Sequence, residues 1–298
     1  MEAAQDTVER HTITADGVSA TVLGFGAELC SFKDTDGTEM VWQAEPVWPR
    51  HAPVLFPIVG RLKDDRLRHG GHEYRLTQHG FARDRRFAWV ERGESSCRLA
   101  LRDDGATRAL YPFSFQFELT FSLAAGALRV GYAATNTGDV VLPVSMGAHP
   151  AFRWPLAPGV AKDAHILTFE HDEPAPMPRV AGGLLTPAIY PSVIKDRVLA
   201  LDESVFAADA LILPKPASRW VRFTAPGARG LEMAWEGFPS FGVWMRPPGD
   251  FLCLEPWAGI ASAADWDGPF EAKPGLALLA PGAVLEANYT VRILPSVG

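Results

Sequence analysis

The chain has 298 residues, is 47% hydrophobic, and carries a formal net charge of −7 from 28 basic and 35 acidic side chains. That balance disfavours nucleic acid and anionic membranes as partners, and no apolar run approaches the ~18–20 residues of a membrane span. Three widely spaced cysteines (Cys30, Cys97, Cys253) fit neither a disulfide framework nor a zinc pattern, and the polar N-terminus lacks the regions of a signal peptide, so a cytoplasmic location is expected.

Residues 9–43 read as short strands with turns between them. Val18 to Leu23 and Ala27 to Phe32 flank Gly24-Phe-Gly26, and Thr38 to Gln43 returns as a strand after the Asp34-Thr-Asp-Gly37 turn. The paired glycines begin like a dinucleotide fingerprint, but the third glycine and the following helix are missing. Residues 44–63 are rich in proline and aromatics: Trp48-Pro49, then Ala52-Pro-Val-Leu-Phe-Pro-Ile-Val-Gly-Arg-Leu62. Two prolines in an apolar stretch argue against a helix or a central strand, which leaves a buried-edge loop that places Arg61.

A hairpin follows over Arg66 to Leu76, with Gly70-Gly71 at its turn. His69 and His72 across that turn have no further ligand pattern, so no metal site is expected there. His79 precedes a glycine in a second loop, and Arg83, Arg85 and Arg86 cluster just beyond it, either as a solvated face or as an anion site. Arg86 to Glu91 and Cys97 to Arg102 read as strands.

The clearest periodicity runs from Phe113 to Leu123, apolar at every second residue, and Leu128 to Ala134 repeats it after the Ala125-Gly126 turn. Two long antiparallel strands with one apolar face require a second sheet packed over them. The run into Ser145-Met-Gly-Ala-His-Pro-Ala-Phe152 then sets His149 between a glycine and a proline, close to the backbone of a turn. A histidine there is either turn decoration or a proton-transfer group, since its ordinary pKa lies near neutrality.

Residues 154–192 read as loops with short strands, and Val198 to Leu213 alternates only in part. Strands resume at Trp220 to Phe223, Leu231 to Trp235, Phe241 to Met245, Phe251 to Gly259 and Leu285 to Leu294. Glu255 lies in the apolar Phe251-Leu-Cys-Leu-Glu-Pro-Trp257, where a charge must be either paired or used. No long amphipathic helix, repeat or low-complexity linker is visible, so residues 1–298 are expected to form a single domain.

Four segments together, Leu55-Phe-Pro-Ile-Val-Gly-Arg-Leu62, His79-Gly-Phe-Ala-Arg83, Gly147-Ala-His-Pro-Ala-Phe152 and Leu254-Glu-Pro-Trp257, resemble the aldose 1-epimerase (mutarotase) superfamily in order and spacing, and most of all its LacX-like subgroup. The resemblance implies an all-β fold, a large antiparallel β-sandwich of galactose mutarotase-like (supersandwich) type with the pocket on a concave sheet. It also implies an isomerase that interconverts the α and β anomers of an aldohexose. By motif match, His149 would be the general acid and Glu255 the general base, with Arg61, His79 and Asp209 contacting the sugar, and with no cofactor and no metal. Opening a pyranose independently asks for one acid and one base, which would act from opposite sides of the reacting atoms. Trp154, Trp244 and Trp257 are candidate stacking surfaces. A glycosidase would want two carboxylates. A hexose-6-phosphate 1-epimerase, or a sugar-binding protein without catalysis, keeps the same fold. A small sugar is the expected partner, and the protein a monomer or homodimer.

Overall fold

A computed structural model describes residues 9–296; the stretch read for a targeting signal lies outside them. The long alternation forms the strand Phe115–Ala124, buried at Phe115, Phe117, Leu119, Phe121 and Leu123, and paired with Ala127–Asn136. Ala125 and Gly126 both take left-handed φ (49° and 68°), the backbone that matches a tight hairpin to the strand twist. Phe113, expected in this strand, precedes it: its N–H bonds back to the Tyr111 carbonyl at 2.8 Å.

These two strands lie in a nine-stranded antiparallel sheet. Its order is Val198–Ala200, Ile166–Phe169, Trp220–Thr224, Arg229–Glu236, Val284–Ser296, Ala127–Asn136, Phe115–Ala124, Ser96–Arg102 and Ala88–Arg92. A smaller antiparallel sheet runs Leu211–Leu213, Ser240–Trp244, Phe251–Ala258, Met146–Ala148 and Val54–Leu55, with Ala151–Arg153 also pairing with Phe251–Ala258. Aromatic stacking joins the layers: Phe56 lies 4.1 Å from Phe117, and Trp235 lies 4.3 Å from Phe241. Burying each such ring contributes about 1.5–3 kcal/mol. The fold is an all-β supersandwich, and the α-helix Gly105–Arg108 is four residues long.

One expectation changes. Thr38 to Gln43 makes isolated bridges rather than a strand, because the Glu39 carboxylate accepts the Phe32 and Val41 N–H groups that a ladder would use. The proline-rich 154–192 stretch holds not only the sheet strand Ile166–Phe169 but also a hairpin, Met177–Ala181 with Leu184–Tyr190, turned by Gly182-Gly183. Val54–Leu55 sits at the edge of its sheet, where the neighbouring prolines are tolerated.

Candidate active site

Phe251–Ala258 is buried at all eight positions. Side chains alternate along a strand, so Phe251, Cys253, Glu255 and Trp257 share one face, and the Glu255–Trp257 end of this face floors a cavity of about 430 Å³. Room for Trp257 comes from its neighbours. A side chain at Gly242 would meet its ring at 2.4 Å, and one at Gly147 would meet it at 2.7 Å.

His149 reaches the same face through backbone pairing. Met146 and Gly147 pair with Ala258 and Trp257, and Ala151 pairs with Cys253. Continuing that register across the interruption sets His149 directly opposite Glu255, at the spacing of a cross-strand pair. The side chains meet, with His149 Nε2 3.2 Å from Glu255 Oε2. His149 Nδ1 is buried without a partner. Trp48 stacks on the imidazole at 5.2 Å and Trp244 presents its edge at 5.5 Å, closing the ring between two indoles.

This dry setting pushes both groups toward their neutral forms. Burial above all, with the Arg83 charge behind it, lowers His149 to about 3. Burial, then the Asp209 charge, raises Glu255 well above the ordinary carboxylate value. The Trp257 indole N–H, outside good hydrogen-bond geometry, offsets part of that rise. A cation made in this pair is thus a strong acid, and a carboxylate a strong base.

The other expected site residues line the same cavity. His79 has a left-handed φ of 65°, and its ring is 5.8 Å from that of His149. Its Nδ1 accepts the Gly60 N–H at 3.1 Å, so the one proton of the neutral ring sits on Nε2, which lies 3.3 Å from the Gln78 side-chain amide. Burial, then Arg83 and His149, keeps it neutral. Gly80 follows with φ 70°, and any side chain there would strike the Phe56 carbonyl at 2.2 Å. Arg61 is at the rim. Its fork grips Asp65 at 2.6 and 3.0 Å, and Nη1 donates to the Gly182 carbonyl at 3.3 Å. Asp209 enters from the turn before Leu211–Leu213.

The structure separates the candidate tryptophans. Trp244 and Trp257 line the cavity, but Trp154 does not. It is fully buried elsewhere, its indole N–H donating to the Lys162 carbonyl at 2.9 Å. Of the arginine cluster, Arg83 reaches the cavity, while Arg85 lies over the Phe81 ring at 5.9 Å. His69 and His72 hold no cluster: His69 pairs with Glu271. Among the described residues, the one trio with metal-ligand spacing is His149, Cys253 and Glu255, whose donor atoms lie within 4.8 Å of one another. Burial holds the Cys253 thiol protonated and Glu255 toward its neutral form, a poor state for ligation.

With this geometry in view, residues 9–291 match the family described as aldose 1-epimerase. The chain belongs to the aldose 1-epimerase family. It is 30% identical over 281 residues to the plasmid LacX protein of Lactococcus lactis subsp. lactis, covering 90% of this chain and 94% of that one. A galactose mutarotase related enzyme from Lactobacillus acidophilus superposes with a TM-score of 0.89 at 30% identity, covering 97% of this chain and 98% of that one. A galactose mutarotase-like protein from Lactobacillus casei gives 0.88 at 26% identity, covering 96% and 100%.

Within this family fold, the sequence reading left out Trp48, Gln78 and Arg246, all on the cavity wall. Trp48 had a signal, a Trp-Pro step beside the apolar loop that carries Arg61. Gln78 and Arg246 adjoin residues already marked but follow no pattern of their own. As to membranes, no helix among the described residues is long and apolar enough to cross one.

Proposed function

We propose that this protein is an aldose 1-epimerase that opens and recloses the pyranose ring of a free aldohexose, with His149 as acid and Glu255 as base. The observation that carries the reading is the 3.2 Å contact between His149 Nε2 and Glu255 Oε2 at the floor of a sugar-sized cavity. The ring oxygen and the anomeric hydroxyl hang from the same carbon. A side-by-side acid and base can therefore serve both, and no opposed arrangement is needed.

The proton count balances on this pair. Opening starts from the form in which the one shared proton makes imidazolium and carboxylate, the scarcer form of the pair in this dry setting. His149 gives its proton to the ring oxygen as the C1–O5 bond breaks, and Glu255 takes the proton of the anomeric hydroxyl. The pair is then neutral imidazole and carboxylic acid beside an open-chain aldehyde. Rotation about C1–C2 presents the other carbonyl face, and reclosure returns each proton with the roles exchanged. Burial lowers His149 and raises Glu255, which favours the neutral pair and so the direction of opening. His79, Arg61 and Asp209 would hold the sugar hydroxyls. No metal or cofactor is needed for this sequence, and activity is expected to survive exhaustive EDTA treatment.

Arg83 and Arg246 on the cavity wall favour a second reading, a hexose 6-phosphate as substrate. Polarimetry of fresh α-anomers of free and 6-phosphorylated glucose and galactose separates the two. The proposal expects the free sugars to show the higher kcat/KM. A strong preference for the phosphates, lost in Arg83→Ala, would establish the second reading. No acceleration with any aldose would leave a sugar-binding protein.

A further inference from the structure

Arg179 is a buried cation that stands outside the catalytic cavity. It shares the inward face of Met177–Ala181 with Met177 and is 6% exposed. The pairing with Leu184–Tyr190 shifts register between Pro178 and Val180, so the ladder breaks at Arg179 itself. Irregularities of this kind re-aim a side chain. Its Nη1 donates to the Ala210 carbonyl at 3.3 Å, its guanidinium lies 5.4 Å over the Tyr190 ring, and its Nε has no partner. Taking a guanidinium out of water for so few hydrogen bonds is unfavourable unless a nearby charge uses it.

One such charge is Asp209, which lines the same groove as Arg179. Burial weakens the cationic form of Arg179, while the Asp209 carboxylate favours it. Asp209 sits beside the carbonyl that Arg179 grips and holds a left-handed φ of 67°, which a non-glycine residue keeps only when its surroundings dictate it. Its Oδ1 accepts the Ala210 N–H at 2.8 Å. Asp209 faces the cavity on one side, and on the other it lines a groove shared with Arg179 and Tyr190.

We propose that Arg179 is a positioning residue: by gripping the Ala210 carbonyl and placing a cation behind the Asp209 carboxylate, it holds that carboxylate toward the sugar. The hairpin thus acts on the site from behind through Arg179 as well as at its tip through the Gly182 carbonyl. This rests on the reading that Asp209 contacts substrate.

A double-mutant cycle tests it, with kcat and KM measured by anomer exchange and folding followed by circular dichroism. Arg179→Met removes the charge at similar length, and is expected to raise KM about tenfold with kcat within about threefold of wild type. Arg179→Lys, which keeps the cation, should recover KM to within about threefold. Asp209→Asn should raise KM by itself, and adding Arg179→Met to it should change KM less than about twofold, because the two act through one carboxylate. If Arg179→Met does not fold, Arg179→Gln carries the same comparison. Effects that multiply in the double variant, or a wild-type KM in Arg179→Met beside a raised one in Asp209→Asn, would overturn the proposal alone. A wild-type KM in Asp209→Asn would remove Asp209 from the site, and the proposal with it.

Discussion

Two walls of the cavity are built on opposite plans. The floor is the strand Phe251–Ala258, buried throughout and paired on both sides. The rim facing it includes the hairpin Met177–Ala181 and Leu184–Tyr190, a two-stranded sheet of its own that meets further chain through a single parallel bridge between Leu185 and Ala263. Ile189 there is 66% exposed and Tyr190 42%. At that bridge the Leu185 N–H donates to the Ser262 carbonyl at 2.8 Å and the Leu185 carbonyl accepts the Ala264 N–H at 3.0 Å. Proton transfer needs fixed distances, and the proposed acid and base stand on the part that cannot move without breaking two ladders. Meeting the outer hydroxyls of a sugar tolerates give, and the residues proposed for those contacts, Arg61, His79 and Asp209, stand in loops.

If that division holds, floor substitutions act on kcat and rim substitutions on KM. The largest effect should come from Glu255→Gln and His149→Asn. Each keeps a polar group of similar size but cannot carry the proton, so kcat should fall at least about a hundredfold with sugar binding retained. The double variant should lose less than the product. Near-wild-type turnover in Glu255→Gln would remove the base from the mechanism.

The same groups set the response to pH. With His149 lowered to about 3 and Glu255 raised, the one-proton pair persists across the range where an ordinary histidine titrates. The kcat/KM profile should therefore be flat from about pH 5 to about pH 7, and a limb near the ordinary histidine value would break this account. Stability carries the opposite sign for Glu255. Above the ordinary value of 4.5, the unfolded chain has released a proton that the native state keeps, so wild type loses up to about 1.4 kcal/mol per pH unit until the folded pKa is reached. Glu255→Gln has no such loss. Its melting temperature should exceed that of wild type, by more at pH 8 than at pH 5, and a gap that narrows with rising pH would contradict the buried carboxylate.

A middle-sized effect is expected at Gly242, on the strand beside the floor. The Cβ of Gly242→Ala would lie 2.4 Å from the Trp257 ring. Overpacking of that kind costs about 1–3 kcal/mol, and the ring can relieve it only by moving over the cavity floor next to Glu255. Loss of kcat/KM by about tenfold, together with a lower melting temperature, is the expected result. An unchanged kcat/KM would mean that the floor has more give than its burial suggests.

How much of this was legible beforehand differs between the two walls for a physical reason. The sandwich was written into the period-two run from Phe115 to Leu123, because a strand with one apolar face has few other ways to bury it. His149 and Glu255 stood out as polar groups inside apolar, proline-punctuated strands. Their direct apposition was not legible, since it depends on two short strand pieces pairing with the same partner in one register. The hairpin was hidden by its glycines and prolines and by the register break at Arg179. Trp48 and Trp154 show the limit most plainly: both precede a proline, yet one stacks on His149 and the other is buried outside the cavity lining.

The smallest expected effect tests the rim. Gly183, at the hairpin tip, has φ 81°, and a Cβ there would lie 3.2 Å from both the Arg61 Cβ and the Gln78 side chain. Gly183→Ala therefore strains the turn by roughly 1 kcal/mol and presses on Arg61. Its fork is anchored at both ends to Asp65, so the guanidinium can shift only slightly. No floor residue is touched. A KM raised about threefold, kcat within about twofold and a melting temperature lowered by about 2 °C are the expected results. If kcat fell as far as KM rose, the hairpin would be coupled to the proton-transfer pair, and the division between a rigid floor and an adjustable rim would not hold.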